Sequence, residues 1–357
     1  MTIPILADEM EYRQYLVRLP LQMSTFSALD TAPDVLYLTG DAPTVPVEVF
    51  LTESGDLHID HSQLSVLIGA FEERVTPESA KRVERELYLR ERRLSSAVAT
   101  VETRCATLSP LTARQIVRDL LESVAQILPC GLLSKFVPDA LMRVGLRLGE
   151  TTPPPFQRRS AGSTLSLELY DLGRFCMRFG FEPKLLAAHW PDVPGRVRSA
   201  VHTFCRNHQG YGPLPWEAPG FEEPRYTVDV LNEVFGDREV LPPAHPPLRT
   251  AVRRGSDGPW HRRLLASWLR FLDYETFFVR CAFYRGVLPL LRVVAAEWPS
   301  SAGQLLFLRA DELGEPFDDD LVDMAIERRR AYQSTPAYLT RHGISLSRMD
   351  ALLQGAP

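Results

Sequence analysis

Residues 260–284 read WHRRLLASWLRFLDYETFFVRCAFY, and this stretch limits the fold more than any other. Apolar residues recur at Leu264, Leu265, Trp268, Leu272, Val279, Ala282 and Phe283, mostly at three- and four-residue steps. That spacing predicts a helix with one apolar face. Many of the charges, among Arg262, Arg263, Arg270, Asp273, Arg280 and Arg285, fall off that face. Roughly 25 residues of helix would be about 37 Å long. Gly286 and Pro289 should kink it, because proline removes a donor and crowds the preceding turn. A loop at 299–303 and a short apolar run at 305–313, capped by acids, follow.

The rest of the chain carries helical signals with few strands. Residues 47–51 and 57–60, joined by Thr52-Glu53-Ser54-Gly55-Asp56, read as a β-hairpin. Ser62 is an N-cap for a helix to about residue 73, and Thr76-Pro77-Glu78 opens another through Leu87, Leu94 and Val98. Ser109-Pro110 breaks that helix. The next, 111–128, places Ile116, Leu120, Val124 and Ile127 on one face, and Pro129 is expected to end it. A helix at 132–148, kinked near Pro138, leads to Pro153-Pro154-Pro155, the clearest linker. Further helices are expected from Ser163 or Thr164 to about 178, at 192–207 with Val193, Val197, Val201 and Phe204 inward, and at 226–235. After a second Pro/Gly linker at 236–259 come the long helix, one from Asp318 or Asp319 to about 332, and a last one at 338–353. The expectation is a mainly α, irregular multi-helix protein with a small N-terminal hairpin. Its parts would be 1–61, 62–152 and 153–357, or one continuous domain over 45–357.

Composition excludes some classes of partner. Apolar residues make up 45% of the 357 positions and the net charge is −5, so nothing draws the chain to nucleic acid or an anionic membrane. No run of 18 apolar residues occurs, and the early acids give no signal-peptide core. Five cysteines without CxxC spacing read as free thiols, so a cytoplasmic location is expected. There is no P-loop and no GxGxxG, and Lys occurs only at positions 81, 135 and 184.

Two segments in series carry a resemblance. The first has Gly210-Tyr211-Gly212, Glu217 and Pro224-Arg225-Tyr226. The second has Tyr274-Glu275, Arg280, Arg285, Leu306-Phe307-Leu308, Asp311-Glu312-Leu313 and Arg328-Arg329. In this order they resemble the central helical region of phosphoenolpyruvate-utilising enzymes, such as phosphoenolpyruvate synthase and rifampin phosphotransferase, with Tyr226 where that family usually has Trp. The likeness covers roughly residues 45 to 357. It implies a middle domain that binds a small organic substrate, while separate ATP-grasp and phosphohistidine proteins carry out ATP-dependent phosphotransfer or condensation. ATP and Mg²⁺ would then sit on a partner, with no cofactor on this chain. None of the eight histidines follows the small and Ser/Thr residues of a phosphohistidine loop. The chain is therefore expected to be inactive alone, with no catalytic residue of its own.

Candidate substrate contacts follow from the loop at 208–226, since loops on rigid helices commonly carry function. His208, Tyr211, Trp216, Glu217 and Arg225 offer an aromatic wall with a base, an acid and a cation. Arg280 and Tyr284 would face a pocket between helices. The bland alternative makes Trp216 and Tyr226 packing anchors and Glu217–Arg225 a structural ion pair. A rival function rests on Asp319, Asp320 and Asp323, whose DDxxD spacing suits Mg²⁺-diphosphate in terpenoid cyclases and prenyltransferases. Those acids also sit where acids simply stabilise a helix N-terminus. A third reading is a non-catalytic scaffold.

Overall fold

The computed structural model describes residues 3–4, 21, 32–36, 49–51, 57–59, 62–149, 161–181, 190–212, 219–235, 258–333 and 346–354. These are mainly helical. The helices are α1 (Ala32–Val35), α2 (Ser62–Arg74), α3 (Pro77–Arg104), α4 (Pro110–Leu133), α5 (Val137–Arg147), α6 (Ala161–Arg178), α7 (Gly195–Asn207), α8 (Pro224–Phe235), α9 (Trp260–Ala282), α10 (Leu288–Val294), α11 (Asp319–Gln333) and α12 (Leu346–Leu353). The hairpin expected over 47–60 lies largely outside the described residues. Only backbone at Ile3–Pro4, Val49–Leu51 and Leu57–Ile59 is described there, as short antiparallel strands.

Local chemistry sets most helix ends. Thr76 accepts from the Ser79 N–H (3.2 Å) while Ser79 Oγ accepts from the Thr76 N–H (2.9 Å), a reciprocal cap with Pro77 in the first turn of α3. Ser109 caps α4 through the Thr112 N–H. Gly180 takes φ +76 beyond α6, and the Phe181 N–H donates to the Cys176 carbonyl (3.1 Å).

One expected break does not occur, and one expected kink takes a defined form. Pro129 does not end its helix, because α4 runs through it to Leu133. An interior proline costs about 3 kcal/mol. Ile127, Leu128, Leu132 and Leu133 are all buried around it, and each such side chain returns about 1.5–3 kcal/mol, so packing wins. Arg90 of α3 also donates to the Gln126 carbonyl (2.7 Å), beside the Ala125 carbonyl that Pro129 leaves without a helical donor. At the other site, helical geometry continues past Gly286 as a π turn over Phe283–Val287, with the Leu288 N–H donating to the Phe283 carbonyl. Pro289 explains the wider turn, since its ring crowds the Arg285 carbonyl and cannot donate to it. Gly286 lies against Leu120 so closely that a Cβ would stand 2.4 Å from Leu120 Cδ2.

The apolar cores group the helices otherwise than the proline-rich stretches do. A large core joins α2, α3, α4 and α5 to α9, α10, the 302–308 turn, α11 and α12, so residues on both sides of 153–155 share it. Trp268, Phe283, Leu305, Leu306, Phe307 and Leu308 are fully buried there. A separate, smaller core holds α6, α7 and α8 together through Leu172, Val197, Val201, Phe204, Leu231 and Phe235. Gly173 opens the notch for Phe235, whose ring would stand 2.6 Å from a Cβ there. No single described helix is long and apolar enough to cross a membrane. The bent pair α4–α5 passes that test only jointly, and most of its apolar residues lie in the large core.

Candidate functional site

The two segments that carry the resemblance meet at Arg280. This arginine lies on α9 and is 1% exposed, although many charges of that helix were expected to fall off its apolar face. A buried guanidinium needs a carboxylate partner, and Glu222, 13% exposed, supplies it through Oε1. The same oxygen accepts from the Gly220 N–H (3.1 Å). Gly220 is obligatory: a Cβ there would stand 2.3 Å from Arg280 Nη2 and 2.4 Å from the Tyr211 carbonyl oxygen. The Phe221 N–H donates to that carbonyl (3.1 Å), which folds 219–221 back on Tyr211. Gly210 and Gly212, at φ +91 and +114, let the chain leave α7 and turn under this contact.

Aromatic rings flank the ion pair. The Arg280 guanidinium carbon lies 5.8 Å from the Tyr284 ring centre, within cation–π range. Tyr226 packs edge-on against Phe221 at 5.0 Å. Burial pushes its phenol above the ordinary value, opposed by Arg280 and aided by the Glu222 charge. Tyr226 is therefore a neutral donor or acceptor at physiological pH.

The expected site residues divide into four groups. Tyr211, Arg280 and Tyr284 come together around Glu222 and Gly220. His208 caps α7, buried, with Nε2 2.8 Å from Glu168 Oε2 and its ring against Phe204 at 4.4 Å. That arrangement ties α7 to α6. Arg225 is exposed in the first turn of α8, and Trp216 and Glu217 lie outside the described residues. Sequence reasoning missed Glu222. The signal was present, since an arginine beside Val279 and Ala282 on a core-facing helix demands an acid, and Glu222-Glu223 follows directly on the glycine-rich loop.

Other resemblance residues have structural work. Arg328 makes a bidentate pair with Glu312 (2.7 and 2.9 Å) and also donates to the Phe307 carbonyl (3.0 Å), while Leu313 is fully buried. Arg285 pairs with Glu102 of α3. These contacts fasten the 302–314 segment and the π turn to the bundle.

The DDxxD acids are exposed at the start of α11, and Asp318 caps it, accepting from the Leu321 N–H at 2.9 Å. No group of three His, Cys, Asp or Glu side chains is placed to hold a metal among the described residues. Burial pushes the Cys130 and Cys176 thiols up to about 12, so both stay protonated and poor nucleophiles at neutral pH.

Comparison with known proteins adds no relative: no family model, curated protein or solved structure matches the chain.

Proposed function

We propose that the chain is a substrate-binding component of an ATP-dependent phosphotransfer or condensation system, whose ATP-grasp and phosphohistidine steps belong to separate proteins. The observation that carries this reading is the meeting of the two resemblance segments at the Arg280–Glu222 pair. Loop 208–226 and helix α9 are far apart in sequence, yet Gly220 and Arg280 leave no room for a side chain between them. The small organic substrate would bind at this junction, between the three-helix module and the bundle. Affinity capture from the native host, with captured proteins identified by mass spectrometry, tests the reading. Enrichment of an ATP-grasp or phosphohistidine protein is the expected result. Repeated capture that enriches neither contradicts it.

A further inference from the structure

Two helix faces of opposite charge stand unneutralised on the surface. Helix α7 contains no acid, and Arg198, His202 and Arg206 are exposed at four-residue steps along it. The His202 ring lies edge-on to Trp190 (6.1 Å between ring centres), and Arg206 donates to the Thr203 hydroxyl (3.5 Å). On α11, Asp319, Asp323 and Glu327 are exposed at the same four-residue steps. Arg328 and Arg329 of that helix are drawn to Glu312 and Asp350, away from this row. Among the described residues, none of Arg198, Arg206, Asp319, Asp323 and Glu327 forms an ion pair. Like charges four residues apart on a helix repel. The steps from Asp319 to Asp323 and from Asp323 to Glu327 therefore destabilise α11, and an opposing row of cations would relieve them.

The two rows also match in length, since each runs about 12 Å at 1.5 Å per residue. Laid antiparallel, Arg206 meets Asp319, His202 meets Asp323 and Arg198 meets Glu327, and helix ends of opposite polarity adjoin. We propose that α7 of one copy docks on α11 of a second copy of this chain through these rows. A net charge of −5 disfavours a nucleic-acid backbone as the occupant of α7. The two faces differ, so the contact is heterologous. Two single helix faces bury less than about 1,200 Å², which makes the association weak. Its charges are exposed, which makes it sensitive to salt. The contact is independent of the proposed function.

Sedimentation velocity of the full chain over a concentration series tests this. At low salt the sedimentation coefficient of wild type is expected to rise with concentration. Salt at about 1 M, where screening acts within about 3 Å, should abolish the rise. Arg198→Glu with Arg206→Glu should lose it, and so should Asp323→Arg with Glu327→Arg, while circular dichroism shows both folds intact. An equimolar mixture of the two variants should regain it, because the basic α7 of the second then meets the acidic α11 of the first. Arg85→Glu with Arg93→Glu, exposed on α3, shifts the net charge as much as the α7 variant does and should behave as wild type. A wild type that stays monomeric at every concentration overturns the proposal and leaves both rows solvated. A rise that survives either double reversal, a mixture that stays monomeric, or a rise lost equally in the α3 control overturns it as well.

Discussion

Arg280 shows how much one buried charge dictates. Its partner Glu222, the bare Gly220 beneath it and the Tyr284 ring form one unit, and removing any member exposes the cost of the rest. Arg280→Ala should destabilise the chain by about 3–5 kcal/mol, because it leaves the Glu222 carboxylate buried and unpaired. The double change Arg280→Met with Glu222→Leu should cost less than Arg280→Ala alone, since both charges leave together. Urea-unfolding midpoints of the three chains measure this, and a double change costlier than the single one contradicts it. Gly220→Ala should cost about 1–3 kcal/mol by the same assay, because the Tyr211 carbonyl is backbone and cannot swing aside. At this scale the sequence was partly legible. It offered Arg280, Tyr284 and Tyr211 as site residues, and these converge. It put the acid at Glu217 and passed over Glu222, because pairing across 58 positions is a product of tertiary packing and leaves no local pattern.

At the scale of elements, legibility followed the strength of local chemistry. Thr76-Pro77 marked the start of α3 because capping and a first-turn proline act within one turn. Thr76→Ala should therefore cost about 1 kcal/mol, seen as a lower thermal midpoint; no change would show that α3 is held by packing alone. Pro129 misled for the opposite reason. Its local penalty is real, but the burial of Ile127, Leu128, Leu132 and Leu133 outweighs it, and burial cannot be read from a single proline. The π turn at 283–287 was foreshadowed only as a kink, since Gly286 and Pro289 signal a disturbance without fixing its geometry. The C-terminal helix α12 is clasped by Arg329 and Asp350 (2.6 Å) with Ser301 bonded to the same carboxylate (2.9 Å). Burial alone would raise the Asp350 carboxyl, yet Arg329, Ser301 and the Gly303 N–H together hold it below its ordinary value. The charged form is thus favoured in the folded chain. The clasp contributes its stability above the unfolded carboxyl's value and loses it as the pH falls through the lower folded value. Asp350→Asn should be less stable than wild type at neutral pH, and the gap should close below about pH 4. A gap that persists undiminished in acid, read from urea midpoints, contradicts this assignment.

At the scale of the molecule, the helical class was legible in the 3.6-residue periodicity, but the grouping of helices was not. Prolines 153–155 suggested a division there, with one continuous domain over 45–357 as the other reading; the large core draws on residues either side of 153–155, and among the described residues α6, α7 and α8 keep a core of their own. Linker composition reports where a chain is extended and says nothing about which helices share a core. Two cores predict two cooperative units. In hydrogen exchange, α6–α8 should open together and separately from α3, α4 and α9; identical protection in all six helices would contradict that division. The proposed function belongs to this scale too: a helical body that bound substrate and borrowed its phosphate chemistry would be silent by itself. The most direct measurement is incubation of the purified chain with Mg²⁺ and radiolabelled ATP, following ADP release and label on protein. Under the proposed function, neither rises above the blank until an ATP-grasp protein and a phosphohistidine protein are added. Steady ADP release or a labelled side chain from this chain alone would contradict it.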